Sequence, residues 1–259
     1  MEPLYFDQPA NQKFGVYHPP RNSGGIEKAV LICSPLMQEN IRAYRACQEL
    51  ATQLSYVGYH VLRFDYSGTG DSAGDITDQD LLAWREDINF ASAELKEISG
   101  LDFISIIGIR MGATLAASCE IKQVDRLILW DPVVDGDDYL NNLKNIHRQI
   151  LISREHFPFD RTDKTENGMR ELVGFAMNDL LFSQIGSLKL SLSSTLTDTK
   201  TGIISSRQKR KGSLDDFVSL HDNVALYNIN YSAEWNNILQ IEKRLLSYEY
   251  IKKTIELLS

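Results

Sequence analysis

Between residues 28 and 134, four short apolar runs alternate with helix-length amphipathic segments, and this alternation restricts the chain to an α/β architecture with a largely parallel sheet. The runs are KAVLICSP (28–35), HVLRFDYSGTGDS (60–72), FISIIGIRMG (103–112) and RLILWDPVV (126–134), each closing in Pro, Gly or Asp turn chemistry. Between them, residues 41–59 and 80–98 carry apolar side chains at helical spacing, and Met111 to Gln123 predicts a helix directly after a strand. LYF and KFGVYH, near the start, are close enough to form an opening hairpin. Residues 137–195 read as mostly helical, with Tyr139, Leu140, Leu143, Ile146 and Ile150 on one stripe, which predicts a cap inserted over the sheet. TGIISSR (201–207) and VALYNINYS (224–232) predict two closing strands, and 235–258 a last helix. With 259 residues and no internal repeat, the chain reads as one domain, residues 1–259.

Charge and cysteine usage then narrow the functions. With 27 Lys+Arg against 35 Asp+Glu, the net charge is −8, which disfavours a general nucleic-acid binder because such a surface must replace counterions on phosphates. No run approaches the roughly 18 apolar residues of a membrane helix, and the first residues lack the basic start and apolar run of a secretory signal. Cys33, Cys47 and Cys119 match neither a disulfide framework nor a zinc site, so a reducing cytoplasm is the expected compartment and no metal or cofactor is expected. His18, His60, His147 and His156 read as surface or satisfied core residues.

Ligands of an open α/β sheet bind at the carboxyl ends of its strands. At one such end stands Gly108-Ile109-Arg110-Met111-Gly112, whose glycines lie where a nucleophile elbow, G-x-S-x-G, needs them. The middle residue is Arg. With the turn Arg63-Phe64-Asp65-Tyr66-Ser67-Gly68-Thr69-Gly70-Asp71-Ser72 before it and Leu127-Ile128-Leu129-Trp130-Asp131-Pro132-Val133-Val134 after it, the chain resembles the α/β-hydrolase superfamily. It is most similar to the bacterial serine-aminopeptidase-like branch, in particular to exosortase-associated hydrolase-like proteins, some of which carry G-L-R-L-G at the elbow. The resemblance implies an α/β-hydrolase fold, a mostly parallel sheet flanked by helices, and ester, thioester or peptide hydrolysis or acyl transfer.

Each catalytic position implied by that resemblance departs from the pattern. Arg110 has no hydroxyl or thiol and keeps its proton. The usual histidine position reads Asn230-Tyr231-Ser232-Ala233-Glu234-Trp235, and the usual acid position reads Ser206-Arg207-Gln208-Lys209-Arg210-Lys211, with Asp215 and Asp216 the nearest carboxylates. A relocated set of Cys33, His221 and Asp131 is the catalytic alternative, although a Cys in an apolar run is ordinarily a small buried hydrophobe.

An arginine at the first turn of a helix sits beside the positive end of the macrodipole and calls for an anion. One reading supplies an internal carboxylate from Asp131, Glu39 or Asp65. The other supplies a ligand carboxylate or phosphate, bound by Arg110 and Met111 with Gln38, Glu39 and Asp131 around it. Gln38 and Asn40, after the first buried strand, read as turn or cap residues, or as donors to a ligand oxygen. The basic run Arg207, Lys209, Arg210 and Lys211 reads as a solvated turn, or as a docking point for an acidic carrier protein. Together these expectations describe a pseudoenzyme-like accessory protein that binds a small acidic or acyl ligand.

Overall fold

A computed structural model describes residues 1–8, 11–21, 28–152, 169–206, 213–235, 237, 243–245 and 247–259. The basic run at 207–211 and His156 lie outside them. Among the described residues, β1 (Glu2–Phe6) and β2 (Lys13–His18) form the opening hairpin, followed by β3 (Lys28–Cys33), β4 (Tyr59–Phe64), β5 (Ile104–Ile109) and β6 (Val124–Trp130). Beyond these come β7 (Met169–Leu172), β8 (Phe175–Asn178), β9 (Lys200–Ser205) and β10 (Val224–Asn228). Eight of the strands make one sheet in the order β1-β2-β4-β3-β5-β6-β9-β10. Only the β1-β2 and β2-β4 pairings are antiparallel; the remainder run parallel, so the carboxyl ends of six strands open onto the same edge.

The continuous apolar character of the central strands follows from burial on both faces. Leu31 and Cys33 of β3 and Leu127 and Leu129 of β6 enter one core, with α2 (Leu81–Ser99), α3 (Met111–Ser118), α4 (Gly136–Ile152) and α5 (Asp179–Ser187). Val30 and Ile32 of β3, with Ile128 and Trp130 of β6, enter the other, under α1 (Met37–Tyr56) and α7 (Tyr248–Leu258). Helix α2 shows how local chemistry sets an element's bounds. The Asp80 carboxylate accepts from the Ala83 amide at 2.8 Å at its start, and Gly100, at φ 70°, terminates it in the left-handed conformation. The 65–72 turn is tied down from below: the Ser67 amide and hydroxyl both donate to Asp87, which also pairs with the fully buried Lys13.

Three boundaries differ from the sequence expectation. Helix α1 begins at Met37, so Gln38 and Asn40 lie inside its first turn, and Leu36 at its start makes no side-chain cap. The stretch expected as a mostly helical cap contains α4, the β7-β8 hairpin and α5. That hairpin turns at Val173 (φ 54°) and Gly174 (φ 83°), with the strained Val173 amide donating to His147 Nδ1 at 3.2 Å. The last helix starts at Tyr248; in the stretch before it, Arg42 donates to the carbonyls of Ala233, Glu234 and Lys243. None of the described helices is long and apolar enough to cross a membrane.

Candidate functional site

The site is built where β5 passes into α3. Arg110 has φ 55° and ψ −120°, the strained geometry of a sharp strand-to-helix turn, and the two flanking glycines explain why the chain can make it. A Cβ on Gly112 would lie 2.2 Å from the Ser34 carbonyl oxygen and 2.5 Å from that of Cys33; one on Gly108 would lie 2.4 Å from Ala113 Cα. Helix α3 can therefore fold back sharply on β5 only without a side chain at 108, and pack against the end of β3 only without one at 112. The backbone is that of a nucleophile elbow, with an arginine at its tip.

Arg110 is 1% exposed and points into protein. Its Nε and Nη2 both donate to Glu39 Oε1, each at 2.9 Å, and Nη1 donates to the Asp131 carbonyl oxygen at 2.9 Å. The other Glu39 oxygen accepts from the Tyr139 hydroxyl at 3.5 Å. Burial works against the charge on Arg110, but Glu39 and Asp131 more than offset it and leave its pKa above the usual arginine value. Burial also pushes the Tyr139 hydroxyl well above its usual range, and Glu39 acts in the same direction. Of the three carboxylates considered from sequence, Glu39 is the one that pairs; Asp131 contributes a carbonyl, and Asp65 serves the 65–72 turn, accepting from the Asp71 amide.

The Asp131 carboxylate has its own ring of donors. Oδ1 accepts from the Ser206 amide at 2.8 Å; Oδ2 accepts from the Ser206 hydroxyl at 2.7 Å, Trp235 Nε1 at 2.8 Å and the Tyr250 hydroxyl at 2.5 Å. Trp235 completes a chain of three: its indole donates to Asp131, and the Arg110 guanidinium lies 5.2 Å from its ring centroid. Elbow residue, aromatic ring and carboxylate are thus neighbours in that order. An indole N–H only donates and accepts no proton. Arg42 also lies over the Trp235 ring, at 5.1 Å. Two buried guanidiniums and two buried carboxylates leave the centre balanced in charge.

The remaining sequence candidates fall into two groups. Gln38 and Met111 are buried beside the pair, and Gln38 Oε1 has no hydrogen-bond partner among the described residues. Cys33 is fully buried, and burial pushes its thiol well above the usual range, so a nucleophilic thiolate is disfavoured. His221 precedes β10, at the amino end of the sheet, with Nδ1 2.8 Å from the Phe217 carbonyl oxygen. Cys33 and Asp131 lie at the carboxyl ends of β3 and β6, so the structure does not bring the relocated set together. Sequence reasoning missed Trp235 as the partner of Asp131; the signal was a Trp at the position searched only for a His. Among the described residues, no group of three or more His, Cys, Asp or Glu is arranged to hold a metal ion.

Beside Asp131 a cleft of about 200 Å³ opens at the carboxyl ends of β6, β9 and β10. Pro132, Leu214 and Leu226 form its apolar lining; Ser205, Asn228, Asp215 and Asp131 supply polar groups.

No family model and no curated protein sequence matches the chain. Solved structures do. Est1E from Butyrivibrio proteoclasticus, solved with ferulic acid bound, aligns over 98% of this chain and 98% of its own at a TM-score of 0.65 and 16% identity. An esterase from Pyrococcus furiosus aligns over 99% and 89% at 0.64 and 16% identity. An alpha-beta serine hydrolase homologue from Coxiella burnetii aligns over 100% and 97% at 0.59 and 14% identity. With the observed strand order, these likenesses establish the α/β-hydrolase fold.

Proposed function

We propose that this chain is a non-hydrolytic accessory protein on the α/β-hydrolase fold, one that binds an acyl-bearing ligand without cleaving it. The observation that carries the reading is the saturation of Arg110: its guanidinium is enclosed by Glu39, the Asp131 carbonyl, Tyr139 and Trp235 where a hydrolase of this fold would expose its nucleophile. Among the described residues no imidazole stands beside Asp131 on the elbow side, and Trp235, which does, only donates. On this reading the elbow is a structural ion pair, and the ligand takes the neighbouring cleft.

The chemistry of that cleft favours an acyl group over a free acid. Pro132, Leu214 and Leu226 suit a short apolar chain, Ser205 and Asn228 can hydrogen-bond a carbonyl or amide, and the carboxylates Asp131 and Asp215 oppose an anionic head group. The run Arg207, Lys209, Arg210 and Lys211 joins Ser206, which holds Asp131, to the helix α6 (Ser213–Ser219) that brings Leu214 and Asp215 to the cleft. Its four cations suit an acidic carrier protein delivering the acyl group. A fluorophosphonate probe tests the central claim: no serine of the native chain is modified, and stoichiometric labelling of any serine overturns it.

A further inference from the structure

A second cleft, of about 130 Å³, lies between α4, β7 and α5, and none of its lining residues holds Arg110. Three cations line it, Lys144 and Arg148 from α4 and Arg170 from β7, together with His147 and Phe182; Glu171 is the only carboxylate among its described lining residues. Phe182 gathers two of the cations: Lys144 Nζ lies 5.1 Å and Arg170 Cζ 4.4 Å from its ring centroid. Their partners among the described residues are weak competitors. Arg170 meets Asp179 in a solvent-exposed pair at 3.1 Å, and Lys144 contacts the Asn141 side-chain oxygen at 3.5 Å.

Among the described residues, this concentration of positive charge has no matching set of carboxylates. Lys144 and Arg148 are like charges four residues apart on one helix, a spacing that destabilises it, and Arg170 adds a third charge from another element. The chain as a whole carries −8, so the concentration of positive charge here runs against its composition. We infer that this cleft is a binding site for a multiply charged oxyanion, a phosphate or diphosphate group. A planar guanidinium fork with an ammonium beside it matches such a group, and a cleft of about 130 Å³ has room for the oxyanion. The site is independent of the elbow and of the acyl-binding reading.

The test is a titration of the native chain with inorganic pyrophosphate at low ionic strength, followed by amide NMR, with chloride at matched ionic strength as control. Saturable shifts are expected at Lys144, His147, Arg148 and Arg170. The double variant Lys144→Gln/Arg148→Gln should bind at least about tenfold more weakly while the rest of the spectrum stays native, because both side chains reach solvent. Shifts that never saturate, that chloride reproduces, or that centre on residues 207–211 overturn the inference. An unchanged affinity in the double variant does so too.

Discussion

Replacing Arg110 by Met separates an internal ion pair from a site waiting for a ligand. The side chains of Arg110 and Glu39 are 1% and 3% exposed, so the substitution strands a buried carboxylate that has lost two charge-assisted bonds. Breaking a buried pair from one side costs about 3–5 kcal/mol, whereas exchanging both partners for apolar residues is often close to neutral. At roughly 2–4 °C per kcal/mol for a chain near this size, Arg110→Met should lower the thermal midpoint by roughly 6–20 °C. Arg110→Met/Glu39→Leu should recover most of that loss. Circular dichroism melts and urea titrations of the native chain, both single variants and the double variant close the cycle. A cost below about 1 kcal/mol for Arg110→Met, or a double variant as damaged as the sum of the singles, would refute the reasoning and leave Arg110 free for an external anion.

Arg110→Ser/Glu39→Gln/Trp235→His should acquire fluorophosphonate labelling at position 110, because an imidazole there inherits the bond to Asp131; omitting Trp235→His should slow labelling by about a hundredfold or more. A correctly folded but inert triple variant would show that Trp235 does not occupy the place of a catalytic base. Elsewhere, burial and then Arg63 lower the pKa of His18 from 6.5 to about 4, so between those values the unfolded chain binds a proton that the folded one refuses. Stability should therefore fall as pH drops from 6.5 toward 4, by at most about 1.4 kcal/mol per pH unit from this group, and His18→Gln should flatten that part of a stability profile. An unchanged slope in His18→Gln assigns the acid sensitivity to other groups.

The fold was legible wherever burial shaped the sequence on both sides of an element. β3, β5 and β6 announce themselves as unbroken apolar runs because both faces are covered, and α2 declares its limits through Asp80 and Gly100. The β7-β8 hairpin was hidden because Val173-Gly174 lacks the Asn-Gly or Asp-Gly signal of a tight turn; its strain is held by His147, 26 residues away. The α7 start, expected at 235 and found at Tyr248, follows a stretch whose carbonyls at Ala233, Glu234 and Lys243 accept from Arg42, about 200 residues away in sequence. At the site, Gly108 and Gly112 exposed the elbow directly. Choosing Glu39 over Asp65 and Asp131 required knowing that α1 begins at Met37, so that Glu39 in its first turn meets Arg110. The role of Trp235 depended on its meeting Asp131 across 104 residues, and local pattern carries no record of that.

The backbone strain at the tip of the elbow, on the order of 1–3 kcal/mol, arises at the Cβ of residue 110 and is shared by any side chain that branches beyond it, while the close fit of Gly112 against the carbonyls at the end of β3 holds the turn in place. Shape and chemistry are thereby uncoupled at this point of the molecule. The turn acts as a fixed mount that presents whatever residue the gene supplies at one place in space, so a change of chemistry here can be made by exchanging side chains without rebuilding the scaffold beneath them.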